Sequence, residues 1–492
     1  MAGILDIRQA HGALTGERYV RSLRDGREVW LDGEKVDVST HPAFAGVTRE
    51  LARLYDLQHS PEHQDQMTYV SPESGNRVSL SYLLPRTVEE LRAKADNSSL
   101  WMKETWGLMG RLSDFCANFL VGFWDFREEL GKVDPRFKVN VESYHRYAQE
   151  HDLVLTHALG DPQIDRSSSP TQDPDLALRV VDQHADGIVV RGAKQLSTLA
   201  PIAQEALVYL SASFALREEE QFVQWFAIPI NAPGLKVVCR EPLSVHHDGY
   251  GHFFSSRFDE QDALLIFSDV LVPWERVFLL RDGRTALTGL GRSSPWASMS
   301  TNLRFHQRML TMVGVASMVA EAIGVDGFRE VRDRLGEMVT YLEIFRLAIE
   351  GTMANPRVTP GGLVAPSGSM ATGTYAAQLS ARMAELLRQV GTSGIIMQPS
   401  ERDLANPELR PYLEKYMRGR NIGVAEKSRL FRLAWDLVGD SYGQRQELYE
   451  YLHRGDLTRN RNNLYLGFDR TEICERIRQV IAEPLPHGEL NG

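Results

Sequence analysis

The chain opens with helical periodicity. Thr40 and Pro42 read as a helix start with proline in the first turn, and Val47, Leu51, Leu54 and Tyr55 then recur at helical spacing. A second helical stretch is expected over about 87–130, dense in Trp101, Trp106, Phe115, Phe119, Phe123 and Trp124. After about residue 150 the pattern changes. Residues 178–194 hold two β-branched runs around Asp186–Gly187, a hairpin signal. Further strands are expected over 222–230, 235–239 and 263–272, and together these segments predict a compact antiparallel region. From about 296 the helical period returns. Val331, Leu335, Met338, Leu342, Phe345 and Ile349 make one stripe, and Leu379, Met383, Leu386 and Val390 make another. A Gly/Pro-rich connector over 355–368 separates them, the pattern of an antiparallel bundle. The expected organisation is a helical domain over 1–150, a β-domain over 151–285 and a helix-bundle domain over 286–492. The fold class is mainly α with a β-domain.

Composition narrows the function. Hydrophobic residues are 43% of the 492 and charged residues 24%, which favours a packed core and excludes disorder. Lys and Arg number 55 against 65 Asp and Glu, a net charge of −10, so a phosphate backbone is a poor partner and no nucleic acid is expected. The four arginines from Arg454 to Arg470 are too few to reverse that. No apolar run approaches membrane-spanning length, and Asp6 and Arg8 interrupt any signal-peptide core, so a cytoplasmic protein without membrane association is expected. Cys116, Cys239 and Cys474 are far apart, which argues against a disulfide framework, a cysteine zinc site and an iron–sulfur cluster.

Several chemistries lack their motif. There is no phosphate loop, no HExxH and no GxSxG elbow, and Gly289-Leu290-Gly291 lacks the third glycine of a dinucleotide fingerprint. Two segments carry candidate chemistry. In 157–166, His157 titrates near neutrality and is able to exchange a proton, and Asp165 and Arg166 offer polar contacts to a cofactor. The alternative is a structural histidine before a turn locked by an Asp–Arg pair. In 109–115, Gly110 permits close backbone approach and Arg111 is suited to stabilise an oxyanion. The alternative is a helix start capped by Ser113 with Arg111 solvated. The loop 245–252 holds His246, His247 and His252 and reads as a mobile substrate loop; no metal is expected.

These residues carry a resemblance. Thr15-Gly16-Glu17, Ser22 to Val29 and Thr40 to Phe44 resemble the N-terminus of the 4-hydroxyphenylacetate 3-monooxygenase family, the oxygenase component of two-component flavin monooxygenases. The likeness continues in MGRLSDF, THALGDPQIDR, DGIVVRGAKQLST, residues 255–277, residues 392–419 and GDSYGQRQELYE, in collinear order. It implies an acyl-CoA-dehydrogenase-like fold: N-terminal helices, a β-domain and a C-terminal four-helix bundle. It implies a homotetramer built through that bundle, and a separate NAD(P)H flavin reductase as partner. The implied cofactor is reduced, diffusible FAD, with FMN as the variant. Arg111 and His157 match the pair that binds the substrate's phenolic oxygen. Ala158, Leu159, Gln163, Ile164, Asp165, Arg166 and Thr198 match the flavin lining, as does His157 itself. Arg459 and Asn460 match a segment at the flavin's nucleotide end. Ser211 and Ser213 fall where the family reads the substrate's distal group.

One departure stands out. Phe115 occupies the place of a tyrosine that also bonds the phenol in the familiar enzymes, so a changed substrate or pose is expected. The implied reaction is ortho-hydroxylation of a small phenol, free or carrier-tethered, through a flavin C4a-hydroperoxide, giving a catechol or, after loss of a leaving group, a quinone. The alternatives are a non-catalytic flavin- or carrier-binding module, and a 4-hydroxybutyryl-CoA dehydratase-like enzyme, which the cysteine pattern disfavours.

Overall fold

Proline at the first helical position starts α1 (Pro42–Leu57), and its cap is His41 rather than Thr40: the imidazole Nδ1 accepts the Ala43 N–H at 3.3 Å. The structure is a computed structural model and describes residues 5–165, 167–168, 172–209, 220–243 and 250–482. The helical stretch expected over 87–130 is broken. Its first part, α2 (Val88–Glu104), begins with a reciprocal cap in which Thr87 Oγ1 accepts the Glu90 N–H and the Glu90 carboxylate accepts the Thr87 N–H. The break follows at Trp106 and Gly107, which take φ values of 57° and 69°. A Cβ on Gly107 would meet the Arg308 backbone nitrogen at 2.4 Å, so this corner needs glycine for both conformation and space. The chain resumes as α3 (Ser113–Asp125), followed by α4 (Pro135–His151).

The β-region forms two sheets. Its strands are β1 (Glu28–Leu31), β2 (Glu34–Val36), β3 (Leu155–Ala158), β4 (Arg179–His184), β5 (Gly187–Thr198), β6 (Glu205–Val208), β7 (Gln224–Pro229), β8 (Leu235–Cys239), β9 (Asp262–Pro273) and β10 (Val277–Leu280). One sheet has the order β2-β1-β8-β9-β5-β4 and the other β10-β7-β6-β3. The hairpin expected at Asp186–Gly187 joins β4 to β5, with His184 opposite Gly187. Gly187 is there for proximity: a Cβ would lie 2.1 Å from the Val272 carbonyl oxygen. The region is not purely antiparallel. β1 pairs parallel with β8, and β3 pairs parallel with β6, placing His157 beside Leu207. A parallel pair needs a long connection between its strands, and local alternation of residues carries no trace of that.

The C-terminal part contains α5 (Pro295–Ala322), α6 (Arg329–Ala354), α7 (Ser369–Gly391), α8 (Val424–Val438), α9 (Ser441–Leu452), α10 (Leu457–Gly467) and α11 (Thr471–Ala482). α5 packs against α6, α7 and α8, and α9 packs on α7 and α8. Met338, Leu342, Phe345 and Ile349 of the first predicted stripe are buried, as is the whole Leu379–Val390 stripe. A single hydrophobic cluster runs from Leu14 through the sheets to Tyr442, so the helices, sheets and bundle share one core.

Candidate phenol-binding site

The bend between α2 and α3 carries Arg111, and the end of β3 carries His157. The two meet at the seam of helices and sheet. Both are buried, at 5% and 8% exposure, so the solvated-arginine reading does not hold; the Asp165–Arg166 lock of the structural-histidine reading involves Arg166, outside the described residues. Arg111 Nε donates to His157 Nε2 at 2.7 Å. Ser113 is the first helical residue rather than the cap, and its hydroxyl accepts from Tyr55 at 2.5 Å.

The hydrogen bonds assign the histidine's tautomer. An arginine N–H only donates, so His157 Nε2 must present its lone pair. The ring proton then sits on Nδ1, which donates to the Tyr209 hydroxyl oxygen at 2.6 Å. Burial, and then the Arg111 charge, push the histidine pKa well below its ordinary value, so the ring is neutral. Tyr209 is itself fixed by stacking on Phe119, with ring centroids 4.8 Å apart.

Arg111 is held from every other side. Its backbone N–H donates to Glu260 Oε1 at 2.6 Å, and Nη1 donates to the Gly110 carbonyl at 3.1 Å and to the Tyr449 hydroxyl oxygen. Tyr449, on α9, donates in turn to the Gly110 carbonyl at 2.9 Å. A Cβ on Gly110 would lie 2.4 Å from the Tyr449 ring, so this glycine admits the tyrosine. The guanidinium lies 4.2 Å over the Phe115 ring. Among the described residues, Nη2 has no hydrogen-bond partner, which leaves it as the donor a ligand would meet.

A charged relay links this pair to β5. Arg445 of α9 contacts Glu260 at 3.3 Å and Asp262 at 2.9 Å, and the Thr198 hydroxyl donates to Asp262 at 2.7 Å. Burial opposes ionisation of Asp262, but Arg445 and Arg240 outweigh it and hold the carboxyl below the usual carboxylate range. Thr156 ties β3 to β5 through the Thr198 carbonyl at 2.5 Å.

The remaining sequence candidates fall in three places. Ala158 is buried at the end of β3, with Leu159 next to it, and Gln163, Ile164 and Asp165 are exposed on the segment that follows. The Asp165 carboxylate accepts from the Ser167 N–H and hydroxyl. Arg459 and Asn460 lie on α10, and Asn460 donates to the Arg454 carbonyl at 2.9 Å; among the described residues no hydrogen bond joins either to β3 or β5. Arg166, Ser211, Ser213, His246 and His247 lie outside the described residues. Sequence reasoning passed over Tyr209, Glu260, Arg445 and Tyr449. The last three stand inside the quoted motifs, where two carboxylates on one segment and an arginine and a tyrosine on another were the available signal.

Residues 15–279 match the family described as 4-hydroxyphenylacetate 3-hydroxylase N terminal, and residues 293–482 match its C-terminal counterpart. The chain belongs to this family. It is 37% identical to the 4-hydroxyphenylacetate 3-monooxygenase oxygenase component of Thermus thermophilus, over 96% of this chain and 98% of that one. It is 34% identical to the oxygenase component of a Rhodococcus 4-nitrophenol 2-monooxygenase, over 90% of this chain and 86% of the relative. A crystal structure of a 4-hydroxyphenylacetate 3-monooxygenase oxygenase component complexed with FAD and 4-hydroxyphenylacetate superposes with a TM-score of 0.90 at 36% identity, covering 95% of this chain and 98% of that one. The order expected from the resemblance, N-terminal helices, a β-domain and a C-terminal helix bundle, is the arrangement described above and the fold of that solved family structure. Among the described residues no helix is long and apolar enough to cross a membrane.

Proposed function

We propose that this chain is the oxygenase component of a two-component monooxygenase that uses reduced flavin, delivered by a separate reductase, to hydroxylate a phenol ortho to its hydroxyl. The observation that carries this reading is the buried Arg111–His157 pair, with a lone pair at Nε2 beside a fixed positive charge. A phenol oxygen held by the guanidinium takes the place of Arg111 Nε at the single lone pair of His157 Nε2 and gives its proton there, while the guanidinium stabilises the negative charge that develops on oxygen. The ortho carbon then gains electron density and attacks an electrophile. Because His157 is a weak base in this setting, it holds the proton only while Arg111 holds the phenolate. Tyr209 receives the Nδ1–H throughout and keeps the ring in place.

The residues present fit a flavin beside this pair. Ile164 and Leu196 are 60% and 58% exposed on neighbouring segments joined at Gly160 and Gln195, which offers uncovered apolar surface for a ring system. Gln163 lies next to Ile164, and Ser197 Oγ is buried with no hydrogen-bond partner among the described residues. In this reading Ala158, Leu159, Gln163, Ile164 and Thr198 line the isoalloxazine and Arg459 and Asn460 serve its nucleotide end. Reduced FAD, when bound, would supply the two electrons that activate dioxygen, one oxygen atom of which goes to the ring while the other leaves as water. Burial of the pair excludes water from the reacting oxygen. We assign the protein a homotetrameric assembly through its C-terminal helices.

The test is turnover with photochemically reduced FAD or FMN and a panel of 4-hydroxyphenylacetate, 4-nitrophenol, simple 4-substituted phenols and carrier-bound phenols. Catechol or quinone should form with a reductase or reduced flavin, and none with NADH alone. Absence of hydroxylated product across the panel would overturn the reading.

A further inference from the structure

Away from the phenol site, three side chains from two distant parts of the chain converge on one point. His252 precedes the short helix Ser255–Phe258, Asp436 lies in the last turn of α8, and Asp440 caps the start of α9. His252 Nδ1 is 3.9 Å from Asp436 Oδ1 and 3.5 Å from Asp440 Oδ2, and the three atoms all lie within 4.8 Å of one another.

Asp436 supplies a second, independent observation. Its side chain is completely buried. Oδ2 is used by the backbone, accepting the Phe254 N–H at 2.7 Å and the Ser255 N–H at 3.0 Å. Oδ1 points into the cluster, is buried and accepts no hydrogen bond among the described residues. A buried carboxylate oxygen left in this way is costly unless a cation faces it. Asp440 brings a second carboxylate to the same point, its Oδ2 3.5 Å from His252 Nδ1.

We propose that His252 Nδ1, Asp436 Oδ1 and Asp440 Oδ2 bind a divalent transition-metal ion, with Zn²⁺ as the best chemical match. Four ligands about 2.0–2.1 Å from Zn²⁺ in a tetrahedron lie about 3.4 Å from one another. The separations of 3.5 and 3.9 Å reach that geometry by small side-chain rotations. An imidazole with two carboxylates is a nitrogen–oxygen set suited to zinc and its first-row neighbours. His252 and Asp440 keep 13% and 26% side-chain exposure, so the ion has access and water can take the fourth position. The ion's role is a brace. It ties the segment that leads to Glu260, the acceptor of the Arg111 N–H, to the corner from which α9 carries Arg445 and Tyr449.

The test uses the full chain after chelator treatment. Zn²⁺ content is measured by plasma mass spectrometry after equilibration and gel filtration, Zn²⁺ affinity by competition with a chromophoric chelator, and Co²⁺ coordination by visible absorption. His252→Ala and Asp440→Asn are the probes, because Asp440→Asn retains the oxygen that caps Ser441 and both positions are partly exposed. The parent should take up one Zn²⁺ per chain more than either variant, show the strong visible bands of tetrahedral Co²⁺, and gain melting temperature with Zn²⁺. Each variant should bind at least tenfold more weakly, without those bands. Equal metal content and equal Zn²⁺ affinity in parent and both variants would overturn the site and leave an imidazolium paired with the two carboxylates. Circular dichroism of each variant establishes that it is folded. Phenol turnover is not a readout, so the outcome is independent of the proposed function.

Discussion

A histidine that is to receive a proton at one nitrogen has to be held by the other, and Tyr209 is the group that holds His157. Replacing His157 by alanine should lower hydroxylation by about 10²–10⁴-fold. Flavin oxidation should continue, so hydrogen peroxide replaces product, and paired assays of peroxide and catechol check this. Tyr209→Phe keeps the ring that stacks on Phe119 but removes the acceptor of the Nδ1–H. A lost neutral hydrogen bond of about 1–1.5 kcal/mol should reduce hydroxylation roughly tenfold with little change in phenol affinity; a drop in affinity alone would assign Tyr209 to packing. The acid limb of hydroxylation is set by the same pair. Because the folded-state pKa of His157 is depressed, the ring stays neutral as pH falls past 6.5, and the rate of the hydroxylation step should hold until well below pH 6. Stopped-flow measurement at fixed flavin and oxygen reads this limb. Phe115 faces Arg111 without a hydroxyl, and Phe115→Tyr should move preference toward simple 4-substituted phenols, measured as a ratio of kcat/KM values across the panel.

At the scale of elements, the features that position the site are corners rather than helices or strands. Periodicity exposed α1, the bundle stripes and every long strand, because each buries one face and the alternation of residues records which. It missed the break at 105–112, where Trp106 and Gly107 turn the chain and present Arg111, since a corner has no period. It missed the partners of β1 and β3, since strand direction depends on connections made elsewhere in the chain. The C-terminal end of α4 is another such corner. Asp152 sits there at φ 48°, and its carboxylate accepts from the Leu14 N–H at 2.8 Å and from Gln58 at 2.7 Å. Burial raises its pKa to about 6, against the lowering effect of those two bonds. The charged form is therefore disfavoured in the folded chain. The penalty is absent near pH 4, grows as pH rises to 6, and is complete at neutral pH, where it amounts to roughly 3 kcal/mol. Asp152→Asn, which tolerates the same backbone conformation, should raise the melting temperature most at pH 7–8 and least near pH 4–5. A difference that does not change with pH would mean that Asp152 ionises normally.

For the whole molecule, the surroundings of Arg111 are completed by α9, distant from it in sequence. Most of the two apolar stripes is buried within the chain, with Val331 and Leu335 only partly covered. Uncovered apolar surface in the C-terminal helices includes Val339, Ile344 and Leu347 of α6 and Ile473, Ile477, Val480 and Ile481 of α11. If these faces close a tetramer, sedimentation should give a species four times the chain mass of 55.5 kDa, and Ile477→Glu should shift it toward smaller species. The polar centre shows a related division. Arg111 and His157 were legible because each stands in a recognisable motif. Their surroundings come from residues 209, 260, 445 and 449, and no local pattern announces contacts across 52 to 338 residues. That long closure has a consequence for the chain as it is made. Synthesis runs from the N-terminus, so until α9 emerges Arg111 lacks the Tyr449 hydroxyl and the Arg445–Glu260 relay that fix it. A chain cut before α9 therefore lacks the contacts that hold the guanidinium.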